Sequence, residues 1–286
     1  MCRKLVLTAT VAMLALAGAT AAAWAETPAS ATPKATTEAK QDKPAPPRKA
    51  TAQERIAADR LDPLARAAFW TREANLDPTD TIAGVKLASA LRALGQNEEA
   101  IQAAARVLVI DPNNYDGLME QARAYVANNQ GFYAIEPARR AQTLAPRDWR
   151  PVSLLGVAYA QVQRDDEADA AWRQALLISP ENPAVLSNLA MAQAAKGEAA
   201  QAEALLRRAV AQPGASLRVR QNLTLVLGVQ GKLAEAEKLL RQDLPPDQAN
   251  ADLAYLQALA AGRNGAGVAP TPVTPRSWES VKGVGG

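Results

Sequence analysis

Residues 155–180 read LGVAYAQVQRDDEADAAWRQALLISP: two apolar helical patterns around a polar turn, closed by a proline. The arrangement recurs at a fixed step. Ala168 belongs to the series Ala100, Ala134, Ala168, Ala202 and Ala236, each 34 residues from the next, and Pro180 to the series Pro78, Pro112, Pro146 and Pro180. Five residues before each alanine stand Gly95, Asn129, Gln163, Gly197 and Gly231, glycine or polar side chains suited to a turn between two helices. A helix–turn–helix unit of this length cannot bury its apolar face alone, so successive units must stack.

The first helices of five such hairpins centre on Leu87-Ala88, Gln121-Ala122, Leu155-Gly156, Leu189-Ala190 and Leu223-Thr224, followed three residues on by Leu91, Tyr125, Tyr159, Gln193 and Leu227. The second helices carry Val107, Ala141, Ala175, Ala209 and Asp243 at one packing position. Small residues suit a helix crossing because they let two backbones approach. Asp243 breaks the series, and the expectation is that little packs on it. These positions resemble the signature of tetratricopeptide repeats, most fully in Leu155-Gly156, Tyr159, Ala168, Trp172, Ala175 and Pro180. The resemblance implies an all-α solenoid, a right-handed superhelix of helix hairpins, over residues 80–246.

The flanks read differently. Residues 1–25 have a basic start (Arg3, Lys4), an apolar run from Leu5 to Leu16 and the small-residue site Ala23-Trp24-Ala25, the pattern of a cleavable signal peptide. Ala19 follows Leu16-Ala17-Gly18 where a lipoprotein would carry its lipidated Cys, so a lipid anchor is not expected. Cleavage would leave a periplasmic protein whose membrane contact is indirect. Residues 26–50, with Pro28, Pro33, Pro44, Pro46 and Pro47, read as a disordered tether. Residues 51–79 form a degenerate capping hairpin in which Arg66 takes the alanine position. Gly214, with Pro213 one place early, departs from the proline series and predicts a distorted turn. Residues 247–262 form a C-terminal capping helix, and residues 263–286 a disordered tail.

Composition narrows the chemistry. The chain is 48% hydrophobic but only 4% aromatic, which points to alanine- and leucine-rich helices. Its formal charge of +3 falls close to neutrality once Arg3 and Lys4 are set aside, so no basic footprint for nucleic acid is expected. There is no histidine, and the single Cys2 lies in the signal segment. Ser-His-Asp and Cys-His catalysis and Cys/His metal sites therefore have no residues to work with. The acidic runs Glu98-Glu99 and Asp165-Asp166-Glu167 sit at helix starts, where acids stabilise the positive end of the helix dipole. The reading is a non-catalytic protein with no cofactor and no small-molecule substrate.

In a solenoid of this kind the first helices line a concave groove. The positions that map there include Arg92, Arg123, Gln161, Asn188, Met191, Gln221 and Asn222, with Met119, Ser153 and Ser187 at neighbouring places. Amide, methionine and scattered arginine side chains suit a protein segment laid along the groove. Asn188 and Asn222 stand 34 residues apart and are expected to present adjacent amides, unless they only bond within the solenoid.

A narrower resemblance sits at the far end. Arg220-Gln221-Asn222-Leu223, Asp243-Leu244-Pro245-Pro246 and Asn250-Ala251-Asp252-Leu253-Ala254-Tyr255-Leu256 resemble the C-terminal block of TadD-type proteins of the tight-adherence (Flp) pilus system, and residues 58–70 resemble their leading helix. That implies a scaffold in pilus or secretion-system assembly with protein partners. A regulatory or adaptor subunit of another envelope machine, such as a cell-wall or polysaccharide complex, would read the same way.

Overall fold

The structure is a computed structural model, which describes residues 48–263. The expected signal segment, the expected tether as far as residue 47 and the expected tail beyond Arg263 lie outside the described residues. Within them every regular element is an α-helix: α1 Ala52–Ala58, α2 Pro63–Leu76, α3 Thr81–Ala93, α4 Asn97–Ile110, α5 Tyr115–Ala127, α6 Gly131–Leu144, α7 Trp149–Gln161, α8 Asp165–Ile178, α9 Pro183–Ala195, α10 Ala199–Val210, α11 Leu217–Val229, α12 Leu233–Asp243 and α13 Pro246–Arg263. The fold is an all-α tetratricopeptide solenoid.

Each hairpin turn is made the same way. Gly95, Asn129, Gln163, Gly197 and Gly231 all have φ between 57° and 86°, the left-handed conformation that ends a helix. One residue later, the amides of Gln96, Gln130, Arg164, Glu198 and Lys232 donate back to the carbonyls of Leu91, Tyr125, Tyr159, Gln193 and Leu227 at 2.8–3.0 Å. The turns between hairpins use another device. Asp80, Asn114, Asp148 and Asn182 each accept first-turn amides of the following helix through the side chain. The fifth member of that series, Ser216, makes no such bond. It ends the connection 211–216, longer than 111–114, 145–148 and 179–182, because α10 stops at Val210 ahead of Pro213.

The alanine series occupies the crossings. Ala100, Ala134, Ala168, Ala202 and Ala236 are all at most 1% exposed. In the third hairpin Gly156 lets Trp172 of α8 lie flat against α7, with the indole Nε1 donating to the carbonyl of Ser153 at 3.1 Å. Two large cores result. One runs from Ala122 to Leu189 and the other from Leu186 to Leu256, so α9 contributes to both.

The ends differ from the sequence reading in two places. Residues 48–50, assigned to the tether, are tied to the solenoid: the amide of Ala50 donates to both carboxylate oxygens of Glu73, and Lys49 Nζ bonds Asp77 at 2.6 Å. Glu73 is fully buried and needs those donors, along with Arg55 and Arg72, to offset the loss of water. Asp243 is not left unpacked. Both its carboxylate oxygens accept from Arg220 Nε at 2.8 and 2.9 Å, a polar bond in place of the apolar contact made by the earlier units. Beyond it α13 packs on α11 and α12, with Leu256 against Gly228.

Candidate protein-binding groove

The backbones of the odd-numbered helices α3, α5, α7, α9 and α11 approach one another in succession, whereas those of α4, α6, α8, α10 and α12 do not. The side on which neighbouring helices are closer is the concave one. It offers three unlike zones.

At the N-terminal end, Arg92 of α3 and Arg123 of α5 meet on Glu120, whose side chain is 7% exposed. Arg92 Nε donates to Oε2 at 3.0 Å and Arg123 Nη1 to Oε1 at 2.6 Å. The sequence reading named both arginines and missed the carboxylate that joins them. Its one signal was an acid next to Met119 on a helix whose other groove positions are apolar or basic. The pair is thus partly spent inside the fold and leaves one net positive charge facing the groove.

The middle zone is a cleft of about 480 Å³ between α7 and α9. Val157, Gln161, Asn188 and Met191 line its sides, Trp172 of α8 lies at its base, and Lys196 stands at its rim. Gln161 Nε2 donates to the carbonyl of Val126 at 2.8 Å, while its Oε1 is buried without a protein partner. The amide of Asn188 has no hydrogen-bond partner among the described residues. Lys196 Nζ bonds Asp169 at 2.6 Å, and that carboxylate raises the lysine pKa, so the ion pair at the rim is retained.

The far zone corrects the expectation for Asn222. It is 7% exposed and its Nδ2 donates to Ser187 Oγ at 2.9 Å, so its amide is not open to a partner. Met119, Ser153 and Ser187 are buried as well. The reason is the closeness of the odd helices: side chains at these places point at the next helix, and a buried amide must find its bond there. Gln221 remains half-buried at the edge. The structure therefore brings Gln161, Asn188 and Met191 together, joins Arg92 to Arg123 separately, and takes Asn222 out of the surface.

Five stacked hairpins with a common left-handed turn and a shared alanine crossing fix the architecture, and the tetratricopeptide-repeat family pattern matches residues 85–114. Its fold is the tetratricopeptide-repeat solenoid. TTC0263, a thermophilic TPR protein of Thermus thermophilus, is similar at a TM-score of 0.53 and 24% identity, covering 61% of this chain and 94% of its own. A tetratricopeptide repeat protein of Parabacteroides merdae gives 0.57 at 14% identity over 75% and 85% of the two chains. Pseudomonas aeruginosa pilF gives 0.52 at 20% identity over 65% and 85%. At these identities the likeness concerns the fold alone. No curated protein matches the sequence. As in tetratricopeptide-repeat proteins generally, the architecture is that of a surface for binding other proteins.

Proposed function

We propose that the protein is an assembly scaffold of the bacterial envelope that holds an extended segment of a partner protein in its concave groove, in the setting of a pilus or secretion machine. The observation that carries the reading is the cleft between α7 and α9, where the uncommitted amide of Asn188 stands beside Val157 and Met191. Such a site offers backbone hydrogen bonding and apolar contact together, which an extended peptide needs and a small polar ligand does not. The pilus setting is supported by the resemblance of residues 220–256 to the TadD-type block. The leader pattern at residues 1–25 supports a periplasmic address, with Glu26 as the mature N-terminus.

The test is capture of envelope proteins on the purified chain, identified by mass spectrometry. Asn188→Ala is expected to weaken capture of pilus or secretion components by about 0.5–1.5 kcal/mol, one hydrogen bond, with helicity unchanged. Asn222→Ala is expected to leave capture intact and to lower the melting temperature, because it strands the Ser187 hydroxyl. Capture indifferent to Asn188, or directed to proteins unrelated to such machines, would remove the proposal.

A further inference from the structure

The five hairpins can be compared position by position, and one of them breaks the pattern at its exposed edge. The second and third residues of the second helices are Glu98-Glu99, Phe132-Tyr133, Asp166-Glu167, Ala200-Gln201 and Ala234-Glu235. Only α6 places two aromatic rings there. Phe132 is 70% exposed and Tyr133 60%. In a chain with only 4% aromatic residues, neither ring is engaged in the core.

They form an ordered stack with a third ring. Tyr125 of α5 packs back toward Ala100 and Ile101, Tyr133 lies against Tyr125 with centroids 5.7 Å apart, and Phe132 meets Tyr133 edge-on at 5.5 Å. The rings are therefore held from the core outwards and present a rigid apolar face, the kind of side chain on which interfaces concentrate their binding energy.

Two further features say what such a face would accept. The first is charge. Glu98 lies beside Tyr125, Glu136 stands one helical turn from both exposed rings, and Glu98, Glu99 and Glu136 form no ion pair among the described residues. The second is in the backbone. Pro137 sits inside α6 and has no N–H to give to the carbonyl of Tyr133, four residues earlier. The Tyr133 carbonyl thus lacks its helical donor, and negative charge lies near the rings.

We propose that the turn edge of the second hairpin, built on Phe132 and Tyr133, is a second interaction surface, separate from the groove, which docks a basic protein segment carrying Lys or Arg together with apolar side chains. The apolar side chains pack on the rings, the cations stand over ring faces and beside Glu98 and Glu136, and an N–H donor reaches the Tyr133 carbonyl.

The test uses the full-length protein and three blocked synthetic peptides, KLRLKLRL, KSRSKSRS and ELELELEL, titrated by calorimetry. The first is expected to bind and the other two not to. Phe132→Ser/Tyr133→Ser, both on the surface, is expected to weaken binding at least about tenfold with unchanged circular dichroism and melting. Asn188→Ala is expected to bind the peptide like the parent, which separates this surface from the groove reading. The proposal is overturned if KLRLKLRL does not bind, if KSRSKSRS binds equally well, or if the double variant binds like the parent. Aromatic-dependent sedimentation with neutral phosphatidylcholine vesicles without peptide binding would also overturn it, as would a dimer in analytical ultracentrifugation that the double variant abolishes.

Discussion

One added methyl group is enough to disturb the third hairpin. A Cβ on Gly156 would lie 2.4 Å from Trp172 Nε1 and 2.6 Å from Cε2, inside the ring that fills the crossing of α7 and α8. The indole is 4% exposed and fixed by its bond to Ser153, so it has little room to move. Gly156→Ala is expected to lower unfolding stability by about 1–3 kcal/mol in urea titration, the cost of overpacking a core. This position was legible in the sequence because Leu155-Gly156 and Trp172 stand at the places a repeat needs. Asn222 was not. Its fate depends on Ser187, 35 residues earlier, and no local pattern says which of two similar amides will meet a hydroxyl. Glu120 escaped for a related reason: Arg123 is its i+3 neighbour on α5, but Arg92, which buries the carboxylate in a shared pair, comes from α3.

Between elements, charge does what the alanines do within a hairpin. Glu203 of α10 accepts from Lys232, Arg207 and Gln230, and Arg207 continues to Glu235 of α12, so the fourth and fifth hairpins are tied across their turn. Lys232 foremost, then the Arg207 and Gln230 donors, hold the Glu203 carboxyl down to about 2. In the unfolded chain a glutamate titrates near about 4.3. The stabilisation is therefore complete above that pH and is lost as the pH falls from about 4.5 toward about 2. Asp77, beside Lys49, and Asp148, beside Arg150, are also held at about 2 and act in the same window. Glu203→Gln is expected to melt below the parent at neutral pH and to converge on it at the acid end of that window, as read from thermal midpoints against pH. Parallel curves would show that the network contributes nothing. The helices themselves were readable from period alone, and the irregularity of the turn at 211–216 from Gly214 and the early Pro213, though not its added length. The side-chain caps at Asp80, Asn114, Asp148 and Asn182 were in plain view at the same 34-residue step but went unread, because the apolar and glycine series already fixed the register.

At the scale of the whole stack, the two large cores meet in a single helix. Val185 and Leu189 of α9 belong to one, Leu186 and Ala190 to the other. The ends are held more simply: α1 packs mainly on α2, and α13 on α11 and α12. Unravelling can thus begin at either end and work inward, losing one neighbour at a time, as linear arrays do. For α9 to let go, both cores must already have given way. Its amides are expected to be the slowest in the molecule to trade hydrogen for deuterium, with those of α1 and α13 the fastest, and the fraying fronts from the two termini should converge on residues 183–195.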